Sequence, residues 1–297
     1  MTLSADDDLI VSLDADTHIL PGYLRSVVDT MVRHPQWPAL SVPYYHPLTG
    51  EESQDRAILR YEFYMRSYVL NLLRIGSPYS FTALGSAIVA RAGTLRKIGG
   101  ITPVQSGEDF YLLQKFRKMA PVGLYNEMPV YPSARPSNRV PFGTGPAISK
   151  GKLGNWESYP IYHHHLFDSI SETYQKLPVL YREEVKTDFL VFLQGQFKDS
   201  QLWNSIRRNV TNLERFERAF HQKADGLRIL QYLRQMHREN PFPDEEALYD
   251  NLHLWIPDQL PDWYTPGKLF NEYSVTQLDH LRKLLFVLEN KWRQNQI

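Results

Sequence analysis

The stretch Leu9-Ile10-Val11-Ser12-Leu13 is a short apolar run that stops at Asp14-Ala15-Asp16. A run this short, bounded by polar residues, fits a buried strand and is too brief for a helix. Its ending constrains the fold most. In an α/β layer arrangement ligands bind at the carboxyl ends of the strands, so this strand would deliver two carboxylates to a ligand edge. An Asp-x-Asp triplet is expected about once by chance in a chain of this length, so its position carries more information than its composition. Two such groups can hold a hard divalent cation that bridges a diphosphate. The competing reading is a solvated strand end.

The remainder of the chain has two textures. From Leu9 to about Ile148, short apolar runs alternate with helical patterns, which implies an α/β architecture. Leu40 to Tyr45 and Ser86 to Ala90 read as further strands. Tyr23 onward, Ala57 to Leu73, and Ala92 to Ile98 before Gly99-Gly100 read as helices. After about Leu166 the pattern is helical, and Ser169 with Glu172, Thr211 with Glu214, and Ser274 with Gln277 have capping-box spacing. Following the last of these, Val275, Leu278, Leu281, Leu285, Leu288 and Trp292 form one apolar stripe with Arg282, Lys283, Glu289 and Lys291 off it. That stripe is expected to pack on the body of the protein. The division implied is an α/β region over residues 1–150 and a helical C-terminal region over 151–297.

Lys+Arg and Asp+Glu both number 33, so no global field would draw the chain to nucleic acid or an anionic membrane. With no cysteine there is no disulfide, thiolate metal site or cysteine nucleophile, and a cytoplasmic location is the default. No apolar stretch reaches the roughly 18–20 residues a membrane-spanning helix needs. Peripheral attachment to a membrane stays open.

A second acidic pair lies in Ser106-Gly107-Glu108-Asp109-Phe110-Tyr111. Gly107 permits a sharp entry, and Glu108-Asp109 begin a helix that continues through Leu112, Leu113 and Phe116. One reading is simple acidic capping of the first turn. In the other, Asp109 is a general base that takes a proton from a hydroxyl. Downstream, Arg135 and Arg139 in a proline-rich loop before Gly143-Thr144-Gly145 could grip a diphosphate, or could be ordinary surface arginines. His163-His164-His165 cannot place three adjacent rings on one ion; a single ligand competes with a core or stacked histidine.

Taken in order, LIVSLDADTHILPGYL, TALGSAIVARAGTLRKIGGI and SGEDFYLLQKFRKMAPVGLY resemble the inverting, family-2-type glycosyltransferases with the GT-A fold, over roughly residues 8 to 150. The resemblance implies a partial GT-A-like, Rossmann-like sheet and transfer of a sugar from a nucleotide-sugar donor to a carbohydrate or lipid-linked acceptor, as in polysaccharide biosynthesis. It further implies that Asp14, with Ala15, contacts the donor and the metal, and that Asp16 ligates Mg²⁺ or Mn²⁺. Gly85 and Ser86 would border the sugar, Glu108 would stand on the donor side, and Asp109 would be the catalytic base. The Gln-x-x-Arg-Trp element of processive synthases is missing, so transfer of one sugar per encounter is expected.

In that family the Asp-x-Asp strand follows a nucleotide-binding portion of roughly 90 residues, three strand-helix units. Here it begins at Leu9, so the chain is expected to lack that portion and to be inactive alone. Two other readings stand beside this one. The early Asp14-Ala15-Asp16-Thr17 also resembles the opening motif of haloacid-dehalogenase-type phosphatases, and the helical half would suit a catalytically dead remnant acting as a binding or assembly module.

Overall fold

The computed structural model describes residues 5–104, 106–137 and 140–295. They form a mixed α/β protein that divides into two compact units, one of residues 1–70, 80–160 and 269–297, the other of 71–79 and 161–268.

The first unit opens with β1 (Leu9–Ser12), α1 (Tyr23–Arg33), β2 (Ala39–Ser41) and α2 (Glu52–Arg74), whose last turn belongs to the other unit. A 3₁₀ turn, Gly85–Ala87, leads into β3 (Ile88–Arg91), followed by α3 (Ala92–Lys97), α4 (Glu108–Met119), β4 (Gly123–Leu124) and α5 (Thr144–Gly151). The strand expected from Ser86 to Ala90 therefore starts at Ile88. The sheet runs β1-β3-β2-β4, with β3 antiparallel to both neighbours and β2 parallel to β4. Tyr23, Val27 and Met31 of α1 join Leu40, Val89, Ile58 and Tyr125 in a buried apolar cluster.

The second unit holds α6 (His164–Gln175), α7 (Leu177–Leu180), α8 (Asp188–Phe197), α9 (Leu202–Asn209), α10 (Leu213–Lys223), α11 (Gly226–Glu239) and α12 (Asp244–Trp255). Phe167, Phe189, Leu193, Trp203, Phe220 and Tyr232 are buried in it. Two of the expected helix starts move. Ser169 lies inside α6, which begins after His163, and α10 is capped by Asn212, whose side chain accepts from the Arg215 amide, so Thr211 is not its cap.

The third start holds. Ser274 and Gln277 exchange both capping-box hydrogen bonds at the head of α13 (Val275–Gln294). This helix belongs to the first unit, although the sequence pattern groups it with the helical region. Leu278, Leu281, Leu285 and Leu288 are buried as the stripe requires, but so are Arg282 and Glu289, read from the pattern as lying off it, together with Arg293.

Arg282 and Glu289 meet opposite charges from α2, and Arg293 pairs with Glu289 of its own helix. Arg66 donates to Glu62 at 2.7 Å and to Glu289 at 2.6 Å, and Arg293 donates to Glu289 at 2.7 Å. Glu62 also accepts from the His46 amide and ring at 2.9 Å each. Burial opposes ionisation of Glu62, yet Arg66, His46 and Arg282 hold its carboxyl far below the usual range. Arginines of this network also satisfy main-chain carbonyls at the end of β2 and just beyond it, Arg293 at Ser41, Arg66 at Tyr44 and Arg282 at His46. Such a paired network is costly to break on one side, because the remaining charge is left buried alone.

Candidate functional site

Three segments far apart in sequence meet at the end of β1. Asp14 follows that strand, and the backbone of the 3₁₀ turn before β3 brings Ser86 beside it. The Ser86 hydroxyl donates to Asp14 Oδ2 at 2.7 Å and accepts from the Asp14 amide at 3.2 Å and the Thr17 hydroxyl at 2.8 Å. Ser86 is itself buried at 1% exposure, so these bonds fix the loop rather than decorate it.

Asp109 comes from the first turn of α4. Gly107, at φ 83°, makes the left-handed turn into this helix, a conformation that glycine adopts without strain. Asp109 then lies against Gly85, where an added Cβ would stand 3.1 Å from its Oδ2. Burial pushes the Asp109 carboxyl up to about 6, aided by the nearby carboxylates of Glu108 and Asp14. A carboxylate with that affinity for protons suits proton transfer near neutral pH better than an ordinary solvated one. Glu108 is exposed on the same turn.

Arg135 reaches Asp16, its Nε 2.6 Å from Oδ2. The cause is a short antiparallel bridge in which His18 and Tyr131 exchange both amide bonds at 2.9 Å, pinning the proline-rich loop against the chain after Asp16. Ala15 is exposed between the two aspartates. Arg139 lies outside the described residues.

The sequence thus picked out Asp14, Asp16, Gly85, Ser86, Asp109 and Arg135, and the fold gathers them in two contacting sets, Asp14 with Ser86, Gly85 and Asp109, and Asp16 with Arg135. Thr17 was missed. Its position directly after the acidic triplet was the available signal, since a hydroxyl there can reach the same loop as Asp14.

No group of three or more His, Cys, Asp or Glu able to hold a metal occurs among the described residues. The hard oxygen donors at this end of β1 are the carboxylates of Asp14 and Asp16. Mg²⁺ is commonly held by one or two carboxylates, with phosphates and water completing the shell. Asp14 is exposed, and among the described residues its Oδ1 has no hydrogen-bond partner. Asp16 would have to exchange Arg135 for the ion.

The histidine run lies in the second unit. His163 is buried, packs against Phe242 and bonds Asp250 through Nε2 at 3.0 Å, while its Nδ1 faces His165 Nδ1. Burial holds both His163 and His165 below the usual histidine range, with the neighbouring histidines adding to the effect. His164 bonds Asp168, which also pairs with Arg74 at 2.7 Å. The three rings have different partners.

No helix among the described residues is long and apolar enough to cross a membrane. Comparison with known proteins finds no matching family model, no similar curated protein and no similar solved structure.

Proposed function

We propose that the chain carries the acceptor side and metal edge of an inverting glycosyltransferase site, which moves a sugar from a nucleoside-diphosphate donor to an acceptor hydroxyl. The observation that carries this reading is the meeting of Asp14, Ser86, Gly85 and Asp109 from three separate segments, with a raised proton affinity at Asp109. Paired carboxylates of which one is exposed while the other is partly buried divide naturally into a charge-binding and a proton-accepting role.

In this reaction the acceptor oxygen forms a bond to the anomeric carbon as the bond from that carbon to the diphosphate oxygen breaks. Asp109 takes the proton of the attacking hydroxyl, and the electron pair of the broken bond leaves with the diphosphate. Attack from the face opposite the leaving group inverts the configuration. Asp14 and Asp16 would hold Mg²⁺ or Mn²⁺, which when bound supplies positive charge against the departing diphosphate. Ser86 positions Asp14 through its two hydrogen bonds, and Arg135, released from Asp16, is within the same loop cluster to pair with a phosphate oxygen.

The test is release of nucleoside diphosphate from a panel of nucleotide sugars, with Mn²⁺ and a mixture of glycan acceptors, by a version extended upstream with the nucleotide-binding portion that the resemblance implies, followed by NMR of the new linkage. Turnover with inverted configuration, reduced roughly 10²-fold or more in Asp109→Asn, supports the reading. Retained configuration, or turnover that survives in Asp109→Asn, contradicts it.

A further inference from the structure

Helices α8 and α11 of the second unit leave an open cavity of about 550 Å³ between them. On α11, Ile229, Tyr232 and Leu233 are buried, and Gln231, Arg234, Gln235 and Arg238, which recur at steps of three and four, turn the neighbouring face to the cavity. From α8, Phe192 and Gln196 stand one turn apart and supply the facing wall. Phe192 lies parallel to Phe189 and edge-on to Tyr232, with ring centroids 6.2 and 5.3 Å away, which makes this wall stiff.

The polar groups around the cavity are unevenly satisfied. Arg234 and Arg238 are exposed one turn apart, with no anionic or hydrogen-bond partner among the described residues. Like charges at this spacing repel. The helix dipole accounts for a cation in the last turn, where Arg238 lies, but its effect does not extend back to Arg234. Gln235 donates to Glu239 at 2.9 Å and, among the described residues, keeps its own carbonyl oxygen open. Gln231 accepts from Arg228 at 2.6 Å and keeps its NH₂ to donate, while Gln196 has no hydrogen-bond partner among the described residues. Guanidiniums read anions through paired N–H groups, whereas carboxamides and a carboxylate exchange hydrogen bonds with hydroxyls in both directions.

We propose that this cavity binds a sugar bearing a phosphoryl or carboxylate group. The anionic group sits between Arg234 and Arg238, Gln196 and Gln231 donate to ring and hydroxyl oxygens, Gln235 and Glu239 accept from hydroxyls, and an apolar face of the sugar packs on the edge of Phe192. Glu239 repels a bare anion, so the hydroxyls are part of the recognition. A neutral sugar lacks the ion pairs, and inorganic phosphate lacks the contacts to the amides and Phe192. The volume lies within the range of roughly 300–1,000 Å³ usual for small-molecule sites. This site is contained in the second unit and is independent of the transferase reading.

The test titrates the full chain with glucose 6-phosphate, glucuronate, glucose and inorganic phosphate, read by calorimetry and by the side-chain NH₂ signals of Gln196, Gln231 and Gln235. Glucose 6-phosphate or glucuronate should bind at about 1 mM or tighter and shift those signals, the tighter of the two identifying the anionic group. Glucose and inorganic phosphate should each bind at least about 10-fold more weakly. Arg234→Gln and Arg238→Gln alter exposed side chains, which the fold tolerates, and each should weaken the anionic sugar at least about 10-fold. Arg25→Gln, at an exposed arginine of α1, should leave binding unchanged. No binding of either anionic sugar, inorganic phosphate or glucose binding as tightly as they do, shifts confined to other residues, or affinity unmoved by Arg234→Gln would overturn the proposal.

Discussion

Asp109 rests against the α-carbon of Gly85, with space there for hydrogen and no more: a methyl group would stand 3.1 Å from Oδ2. Gly85→Ala should therefore push the carboxylate aside by a few tenths of an ångström. Small displacements of a reacting group are expensive in rate, so donor turnover in the upstream-extended version is expected to fall about 10-fold or more with a thermal midpoint near that of the unsubstituted protein. Paired activity and melting measurements check this. Full activity in the alanine variant would separate Gly85 from the site.

Asp109 also makes a stability prediction with a definite sign. Its folded proton affinity, about 6, lies above the unfolded value of 3.8. Below the unfolded value both states are protonated and burial of the carboxyl carries no ionisation cost. Between 3.8 and about 6 the unfolded state gives up its proton more readily, so stability falls as pH rises through this window. Asp109→Asn abolishes that loss. In a chelating buffer the variant should exceed the native chain by on the order of 2–3 kcal/mol at pH 7, shrinking toward zero near pH 4. Urea titrations across that range measure it, and a constant difference at all pH values would mean the carboxyl is not held up by burial.

The buried network between α2 and α13 should behave differently from the surface pairs. Glu289→Gln leaves Arg66 and Arg293 with one buried anion fewer, and a loss of roughly 3–5 kcal/mol is expected. The exposed Arg25 and Asp29 pair, by contrast, should contribute under about 1 kcal/mol. Chemical denaturation of Glu289→Gln and Asp29→Asn distinguishes them. Similar small effects would show that the buried charges are solvated in practice.

Ser86→Ala removes the hydroxyl that holds Asp14 from both sides. Loss of a hydrogen bond to a charged group typically costs about 1.5–3 kcal/mol, and here part of it should surface as disorder of the Asp14 loop. The expected outcome is faster exchange of the Asp14 and Thr17 amides and weaker Mn²⁺ binding, with the sheet amides unchanged.

The segments that meet at the end of β1 were legible in the sequence because each piece is local: a strand ending in Asp14-Ala15-Asp16, a glycine-serine pair before a strand, and acids opening a helix. Contact between Asp14 and Ser86 needed only that neighbouring strands share an edge. The network was not legible. Arg66 and Glu289 lie 223 positions apart, and a charged residue one step round a helix from its apolar stripe reads as solvated until its partner is known. For the same reason α13 was grouped with the helices that precede it. The Ser274 cap was readable since both of its partners lie within one turn, whereas at α10 two adjacent capping residues competed and Asn212 prevailed.

Paramagnetic broadening by Mn²⁺ in the presence of nucleoside diphosphates probes the proposed site most directly, and it works at low affinity. Amide signals of Ala15, Asp16, Gly85 and Asp109 should broaden, the effect should strengthen when the diphosphate is added, and it should vanish in the Asp14→Asn, Asp16→Asn double variant. Broadening centred elsewhere, or unchanged by the diphosphate and by the double substitution, would contradict a donor site at the end of β1.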